Sequence, residues 1–396
     1  MKSLKEKIKS LSGKYLEEVI TIRRHFHRYP ELSFKEFETA SYICAKLDEY
    51  GIAYEDKVAK TGIVALITGT KPGGKTVALR ADMDALPIVE KNKIDYCSLT
   101  DGIMHACGHD AHMACLLGAA KILNEVRNNF SGTVKLIFQP SEESYPGGAK
   151  VMIEEGVLDN PAPQVILGQH VFPELDAGKI GMRAGKYMAS TDEVFITVKG
   201  KGGHAAIPDQ FTDPVLIASH IVVALQQIVS RKAKPVMPTV VSFGKISSGG
   251  KTNIIPDEVK LEGIIRTFDE DWRKEIKKQI KKIACGLAES MGGSCEVFID
   301  KGYPAVVNDE MLTRRSWNNA VEYLGAERVE ELEMRMTAED FSYFAQKVPA
   351  CFFRMGTRNQ AKGITSNLHS ATFDIDESSL ETGMGIMAWL AICELK

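Results

Sequence analysis

The chain has 396 residues, 44% apolar and 26% charged, with 33 Gly and 15 Pro, a globular profile that excludes collagen-like, coiled-coil and disordered classes and leaves room for about two to three domains. Lys plus Arg number 49 against 52 Asp plus Glu, a net charge of −3, so the basic surplus needed for sequence-independent nucleic-acid binding is missing. Eight cysteines scattered through a chain of this length are too sparse for a secreted disulfide framework and indicate reduced thiols in a cytoplasm.

The N-terminal stretch MKSLKEKIKSLSGKYLEEV sets its leucines and isoleucine among lysines, without the apolar stretch of a secretory signal. Leu4, Ile8, Leu11, Tyr15, Val19 and Ile22 recur at helical spacing up to Pro30. A second helical pattern runs through Phe37, Ala40, Cys44, Leu47 and Tyr50 and stops at Gly51. Short apolar runs follow at 62–68, 76–81, 133–139 and 164–171, with a helix predicted over Ala111–Val126. Continuous apolar strands separated by helices predict a mostly parallel sheet covered on both faces. Ligand chemistry in such sheets gathers at the carboxyl ends of the strands.

From about residue 188 the pattern changes. EVFITVK over 193–199 alternates strictly, a helix follows over 213–231, then strands at 239–246 and 259–267, a helix over 270–290 and a strand over 295–299. That β-α-β-β-α-β order predicts a ferredoxin-like α+β domain, residues 188–302, inserted into an α/β domain formed by 1–187 and 303–396. The chain closes with a helix near Leu380–Leu395. The longest near-unbroken apolar run, Gly385 to Cys393, is short of the ~20 residues of a membrane-spanning helix.

The densest chemistry lies in Met104-His105-Ala106-Cys107-Gly108-His109-Asp110-Ala111-His112, which holds three of the nine histidines in the chain. A single such His would be an ordinary polar loop residue. Cys and His at this density suit a borderline-soft divalent cation. Asp110 is equally suited to capping the following helix. Gln139-Pro140-Ser141-Glu142-Glu143 comes directly after an apolar strand. Adjacent carboxylates there point different ways, so one can hold metal while the other serves as general base. His170 stands at another strand end, and His369 in the late loop SNLHSATF. Asp82 and Asp84, at i, i+2 after the strand TVALRA, are read as orienting a ligating His, against the plainer reading of Asx turns. His204 sits in the Gly-rich turn GKGGHAAIP. His25 and His27, on the N-terminal helix, read as structural or as supporting the ligands, and His220 as packed inside its helix.

At these residues the sequence resembles the aminoacylase/carboxypeptidase family of di-metal exopeptidases and amidohydrolases. It resembles most closely the branch with hippurate hydrolase, N-acetyl-diaminopimelate deacetylase and indole-3-acetyl-amino-acid hydrolases. The matching stretches, in order along nearly the whole chain, are RRHFHRYPELSFKEF, LRADMDALPI, MHACGHDAHMACLLGAA, FQPSEE, GGHAAIP, NIIPDEVKLEGIIRTF, TAEDFSYF and the late His369.

The resemblance implies a di-zinc-exopeptidase-like fold and two divalent ions (Zn, Mn, Co or Ni) held by Cys107, His109, Glu143, His170 and His369. Cys107 would lie between the metals, where most of the wider family has Asp. Glu142 would be the general base, and Asp84 the retained orienting aspartate. The wider family's His-x-Asp is Asp82-Met83-Asp84 in this chain, with His109 making up the lost ligand. Ser141 replaces a common Ala. The resemblance further implies that 188–302 acts as a lid and mediates homodimerisation, with His204 reaching the partner's site to stabilise the oxyanion, and with Asn253 and Arg266 contacting substrate.

The expected function is metal-dependent hydrolysis of N-acyl amino acids by a cytoplasmic enzyme without nucleic-acid or membrane partners. Its rivals are a metallo-dipeptidase or carboxypeptidase on the same scaffold, a Cys-His hydrolase with Cys107 as nucleophile, and a non-catalytic metal-dependent binding protein. The nucleophile reading leaves Glu143, His170 and His369 without a role, and a binding protein would not need Glu142.

Overall fold

The computed structural model describes residues 2–396, which fall into two units: one built from residues up to Gly185, Val307–Glu333 and Asp340–Lys396, the other from Lys186–Val306 and Met334–Glu339. The first unit is organised on an eight-stranded sheet. Its strands, numbered in chain order, are β1 Tyr54–Val58, β2 Gly62–Thr68, β3 Lys71–Asp82, β4 Ser131–Gln139, β5 Val165–Asp176, β6 Ile180–Met182, β7 Val329–Glu331 and β8 Ala350–Arg358. They lie in the order β1-β2-β4-β3-β5-β8-β6-β7.

The central strands β4, β3, β5 and β8 run parallel, as their continuous apolar runs predict. Antiparallel pairings of β1 with β2, β2 with β4, and β6 with β8 make the sheet as a whole mixed. Strands β6 and β7 have three residues each, too few to leave a period in the sequence.

Alternation along β3 and β4 sorts their side chains. Val77, Leu79 and Ala81, with Val134, Leu136 and Phe138, join the main core, whereas Arg80, Lys135 and Gln139 point the other way. The main core is closed by helices His109–Glu125 and Ser379–Glu394, which are buried almost throughout and correspondingly apolar on all sides. The amphipathic helix Lys2–Arg28 packs on both of them through Val19, Ile22 and Phe26 among others. The helix predicted from Ala111 begins two residues earlier, because Gly108, at φ +83°, makes a turn that side-chain-bearing residues resist. Cys107 therefore stands just outside the helix and His109 is its first residue.

The second unit is a four-stranded antiparallel sheet in the spatial order Thr239–Ser248, Glu258–Thr267, Ser190–Lys199, Ser294–Lys301. Helices Pro214–Gln227 and Glu270–Ser290, N-capped by Asp213 and Asp269, pack on it. This is the ferredoxin-like order read from the sequence. Val194, Ile196 and Val198 form the core with Ile217, Ile221, Leu225, Ile276 and Ile280. By length and composition, Pro214–Lys232 is apolar enough to cross a membrane. Its residues 217, 221, 225 and 228 are spent on this core. His220, expected to be packed, lies on the exposed face of the same helix.

Candidate metal centre

The parallel register brings distant motifs to one edge. Asp82 on β3 lies opposite Gln139 on β4, and Arg80 lies opposite Gly168, two residues before His170. Asp82, the loop from Pro140 to Glu143, and His170 thus meet near the carboxyl ends of the parallel strands. The start of the helix His109–Glu125 enters over this edge and carries Cys107 and His109 with it. The loop bearing His369 is tied in by its own backbone N–H, which donates to the Ala106 carbonyl at 2.8 Å.

Cys107 is the centre of the cluster. Its Sγ lies 3.6 Å from His170 Nε2 and 3.3 Å from His369 Nε2, and His369 Nε2 is 3.2 Å from Glu143 Oε1. Two groups of donors share this sulfur: Cys107 with His109 and His170, and Cys107 with Glu143 and His369. Within each group the donor atoms lie within 4.8 Å of one another, and His109, Glu142 and Glu143 form a third such set. Cys107, His109, His170 and Glu142 are buried, while the His369 side chain is 53% exposed at the mouth.

The chemistry of these donors fits two divalent cations. His109 Nε2 is buried without a hydrogen-bond partner among the described residues, a cost that a cation removes. Burial and the Glu143, Glu142 and Asp82 carboxylates push the Cys107 thiol far above its ordinary range. Its thiolate is therefore favoured by added positive charge, which a divalent cation supplies.

A second layer fixes the donors. His109 donates from Nδ1 to the Asp84 carbonyl at 2.8 Å, and His170 from Nδ1 to the Val171 carbonyl at 2.8 Å, so both turn Nε2 toward the cluster. Burial opposes charge on His109, yet Asp82 and Asp84 raise it to about 10. Burial likewise opposes charge on Asp82, while Arg80, His109 and His112 hold its carboxyl well below the usual range. His112 donates from Nδ1 to Asp82 at 2.5 Å and accepts from the Val171 N–H at 2.8 Å. With both nitrogens engaged it braces the site and has no lone pair left for a metal. Asp84 accepts the Glu142 and Glu143 N–H groups, both at 3.0 Å, and the Ser33 hydroxyl at 2.6 Å.

Other motif residues go elsewhere. Asp110 is the second helical residue and not the N-cap, though its Oδ1 accepts the first-turn Ala111 N–H at 2.9 Å; its Oδ2 takes Arg23 Nε at 2.7 Å and His27 Nδ1 at 2.8 Å. His105 is buried with neither ring nitrogen bonded among the described residues, and burial pushes it down to about 3. It is a neutral packing residue. His25 stacks on Tyr42, with ring centroids 3.7 Å apart.

His204, Asn253 and Arg266 all belong to the second unit. The strand Gly203–His204 pairs with Ile254–Ile255, and Ala205 N–H donates to the Asn253 carbonyl at 3.1 Å, so His204 and Asn253 are neighbours. His204 is exposed. Arg266 lies on a different sheet, between Val240 and Thr191.

Sequence reasoning passed over Arg80, whose guanidinium bonds Gln139, Asp82 and Asp340 at 2.6–2.9 Å. An arginine in the middle of the apolar run TVALRA was the signal for it. Glu36 and Asp340 left no comparable signal.

Residues 78–392 match Peptidase family M20/M25/M40. The N-acyl-L-amino acid amidohydrolase of Geobacillus stearothermophilus is 42% identical over 80% of this chain and 85% of its own. Thermostable carboxypeptidase 1 of Saccharolobus solfataricus is 41% identical over 98% of each chain. Among solved structures, the YXEP protein of Bacillus subtilis, described as a dinuclear metal binding peptidase of the M20 family, superposes with a TM-score of 0.84 at 35% identity, covering 97% of this chain and 99% of its own. The chain belongs to Peptidase family M20/M25/M40, is a metal-dependent amide hydrolase, and takes two divalent metal ions.

Proposed function

We propose that this family member hydrolyses the amide bond of N-acyl amino acids, releasing a carboxylic acid and a free amino acid. The observation that carries the reading is the pairing of two donor groups around Cys107 with Glu142 beside them: the cluster has a base in addition to ligands, and binding alone needs no base. Cys107, His109 and His170 would hold one cation, and Cys107, Glu143 and His369 the other. When bound, the cations supply Lewis-acid polarisation of the scissile carbonyl and ease ionisation of the attacking water.

The chain's own groups do the rest. Glu142 takes the proton of the attacking water on its carboxylate and returns it to the departing amine. Arg266 and Asn253 bind the free carboxylate and hold the substrate, a bidentate task suited to a guanidinium. The second unit acts as lid and mediates homodimerisation, and His204 of the partner subunit donates to the developing oxyanion. The eight cysteines are all free thiols, which suits a cytoplasmic location.

A carboxypeptidase cleaving peptides on the same donors is the second reading, favoured by the 41% identity to a relative of that name. A panel of N-acyl amino acids and dipeptides, each assayed with and without a chelator, separates the two. Preferential release from N-acyl amino acids, abolished by the chelator and restored by a divalent metal, is the expected result. Preference for peptides establishes the second reading, and release that survives chelation overturns both.

A further inference from the structure

Ser141 immediately precedes the two glutamates of the cluster and has a backbone φ of +49°, in the left-handed region that a β-carbon disfavours. A residue held there is strained and persists only where its surroundings over-determine it. Those surroundings are unusually explicit. The Ser141 carbonyl accepts from Gly148 N–H at 2.7 Å, and its N–H donates to Glu36 Oε1 at 2.9 Å.

Glu36 is 105 residues away in sequence and wholly buried. The same Oε1 accepts the Phe34 N–H at 3.0 Å, and Oε2 accepts the Thr61 hydroxyl at 2.7 Å. Three consecutive N–H groups, of Ser141, Glu142 and Glu143, therefore end on buried carboxylates: the first on Glu36 and the next two on Asp84. Asp84 is fastened to the same short segment as Glu36 through Ser33. A carboxylate is costly to bury, and this one is committed almost entirely to backbone and hydroxyl donors.

We propose that Glu36 is a positioning residue for hydrolysis: by accepting the Ser141 amide it holds the left-handed turn that aims Glu142 and Glu143 into the cluster. Burial and the neighbouring Asp84 push Glu36 up to about 7. In either protonation state Oε1 keeps its acceptor role, and a glutamine can reproduce it while donating to Thr61 through Nε2. The inference rests on the roles given above to Glu142 and Glu143.

The test compares Glu36→Gln and Glu36→Met, both assayed with metals loaded, with metal content and thermal midpoint measured alongside. Glu36→Met keeps the volume and loses both acceptors. In Glu36→Met, kcat should fall about 10- to 100-fold with KM little changed and two metals per chain retained, and in Glu36→Gln it should stay within about threefold of wild type. Adding Ser141→Gly to Glu36→Met should recover much of the loss, because glycine adopts positive φ without help. A folded Glu36→Met with unchanged kcat overturns the proposal. So does a loss of kcat in Glu36→Gln as large as in Glu36→Met, a loss that tracks metal content, or one that Ser141→Gly does not relieve. If Glu36→Met fails to fold, the glutamine variant alone decides by the same threefold limit. Failure of the Glu142 reading is seen separately, as activity that survives Glu142→Gln.

Discussion

The carboxylate of Asp84 receives the backbone N–H of Glu142 on one oxygen and that of Glu143 on the other, both at 3.0 Å. One buried side chain thus fixes the backbone of the proposed base and of a proposed ligand, and its main-chain carbonyl fixes His109. Asp84→Asn puts an amide NH₂ against one of the two N–H donors. It is expected to lower kcat about 10- to 100-fold, the usual scale for groups supporting metal ligands. Steady-state kinetics with metal analysis checks this, and unchanged kcat would show that the glutamate pair holds itself in place.

Cys107 is the donor common to both groups. Cys107→Ala is expected to lose high-affinity binding of both metals, since each of the two groups loses the donor they share. Cys107→Asp supplies a carboxylate able to bridge and should keep two metals per chain with measurable hydrolysis. Metal content after gel filtration distinguishes the outcomes, and two tightly held metals in Cys107→Ala would remove the sulfur from the bridging role.

Gly108 separates Cys107 from His109 at φ +83°, and a β-carbon there would come within 2.4 Å of Val171 Cγ2. Gly108→Ala combines an unfavourable backbone with overpacking, for a cost of about 1–3 kcal/mol. Because the neighbours are the proposed ligands, metal affinity should fall along with thermal stability. A variant as stable as wild type would mean that Val171 yields freely.

His27 offers a pH-dependent check. It faces Arg23 on its own helix, Asp110 and Glu90 through hydrogen bonds, the Tyr96 ring and the neutral His105. Burial and Arg23 lower its pKa, but the bonds to Asp110 and Glu90 prevail and raise it above the usual 6.5. A raised folded-state pKa means that the folded chain binds the extra proton. The resulting stability is present in full below the unfolded value and is lost as pH rises through the folded one. The difference in thermal midpoint between wild type and His27→Gln, both metal-loaded, should therefore be larger near about pH 5.5 than near about pH 9. A gap that widens with pH contradicts this sign.

Much of the fold and of the cluster was legible because the signals are local. The central strands declare themselves by unbroken apolar runs, the second unit by strict alternation at Val194, Ile196 and Val198, and the donors by Cys and His packed around Gly108. What escaped depends on contacts between distant segments. Glu36 and Ser141 lie on separate stretches, and each alone reads as a solvated charge or a turn residue; Asp84 reads as orienting a ligating His, but nothing local shows that it also receives the Glu142 and Glu143 N–H groups. The residue pattern alone does not separate His112 from His109, and it is the resemblance that singles out His109. Only the fold shows that Val171 and Asp82 occupy both nitrogens of His112. Asp110 looked like a helix cap because the helix start was placed two residues late, and the partner that claims it, Arg23, is 87 residues away.

The central claim is that Glu142 is the base of a metal-dependent amide hydrolysis, and it is tested most directly by kcat of Glu142→Gln on the best N-acyl amino acid, with bound metal counted on the same sample. The expected result is two metals per chain and a fall in kcat of about 10²- to 10⁴-fold. Two metals with kcat within about threefold of wild type would contradict it.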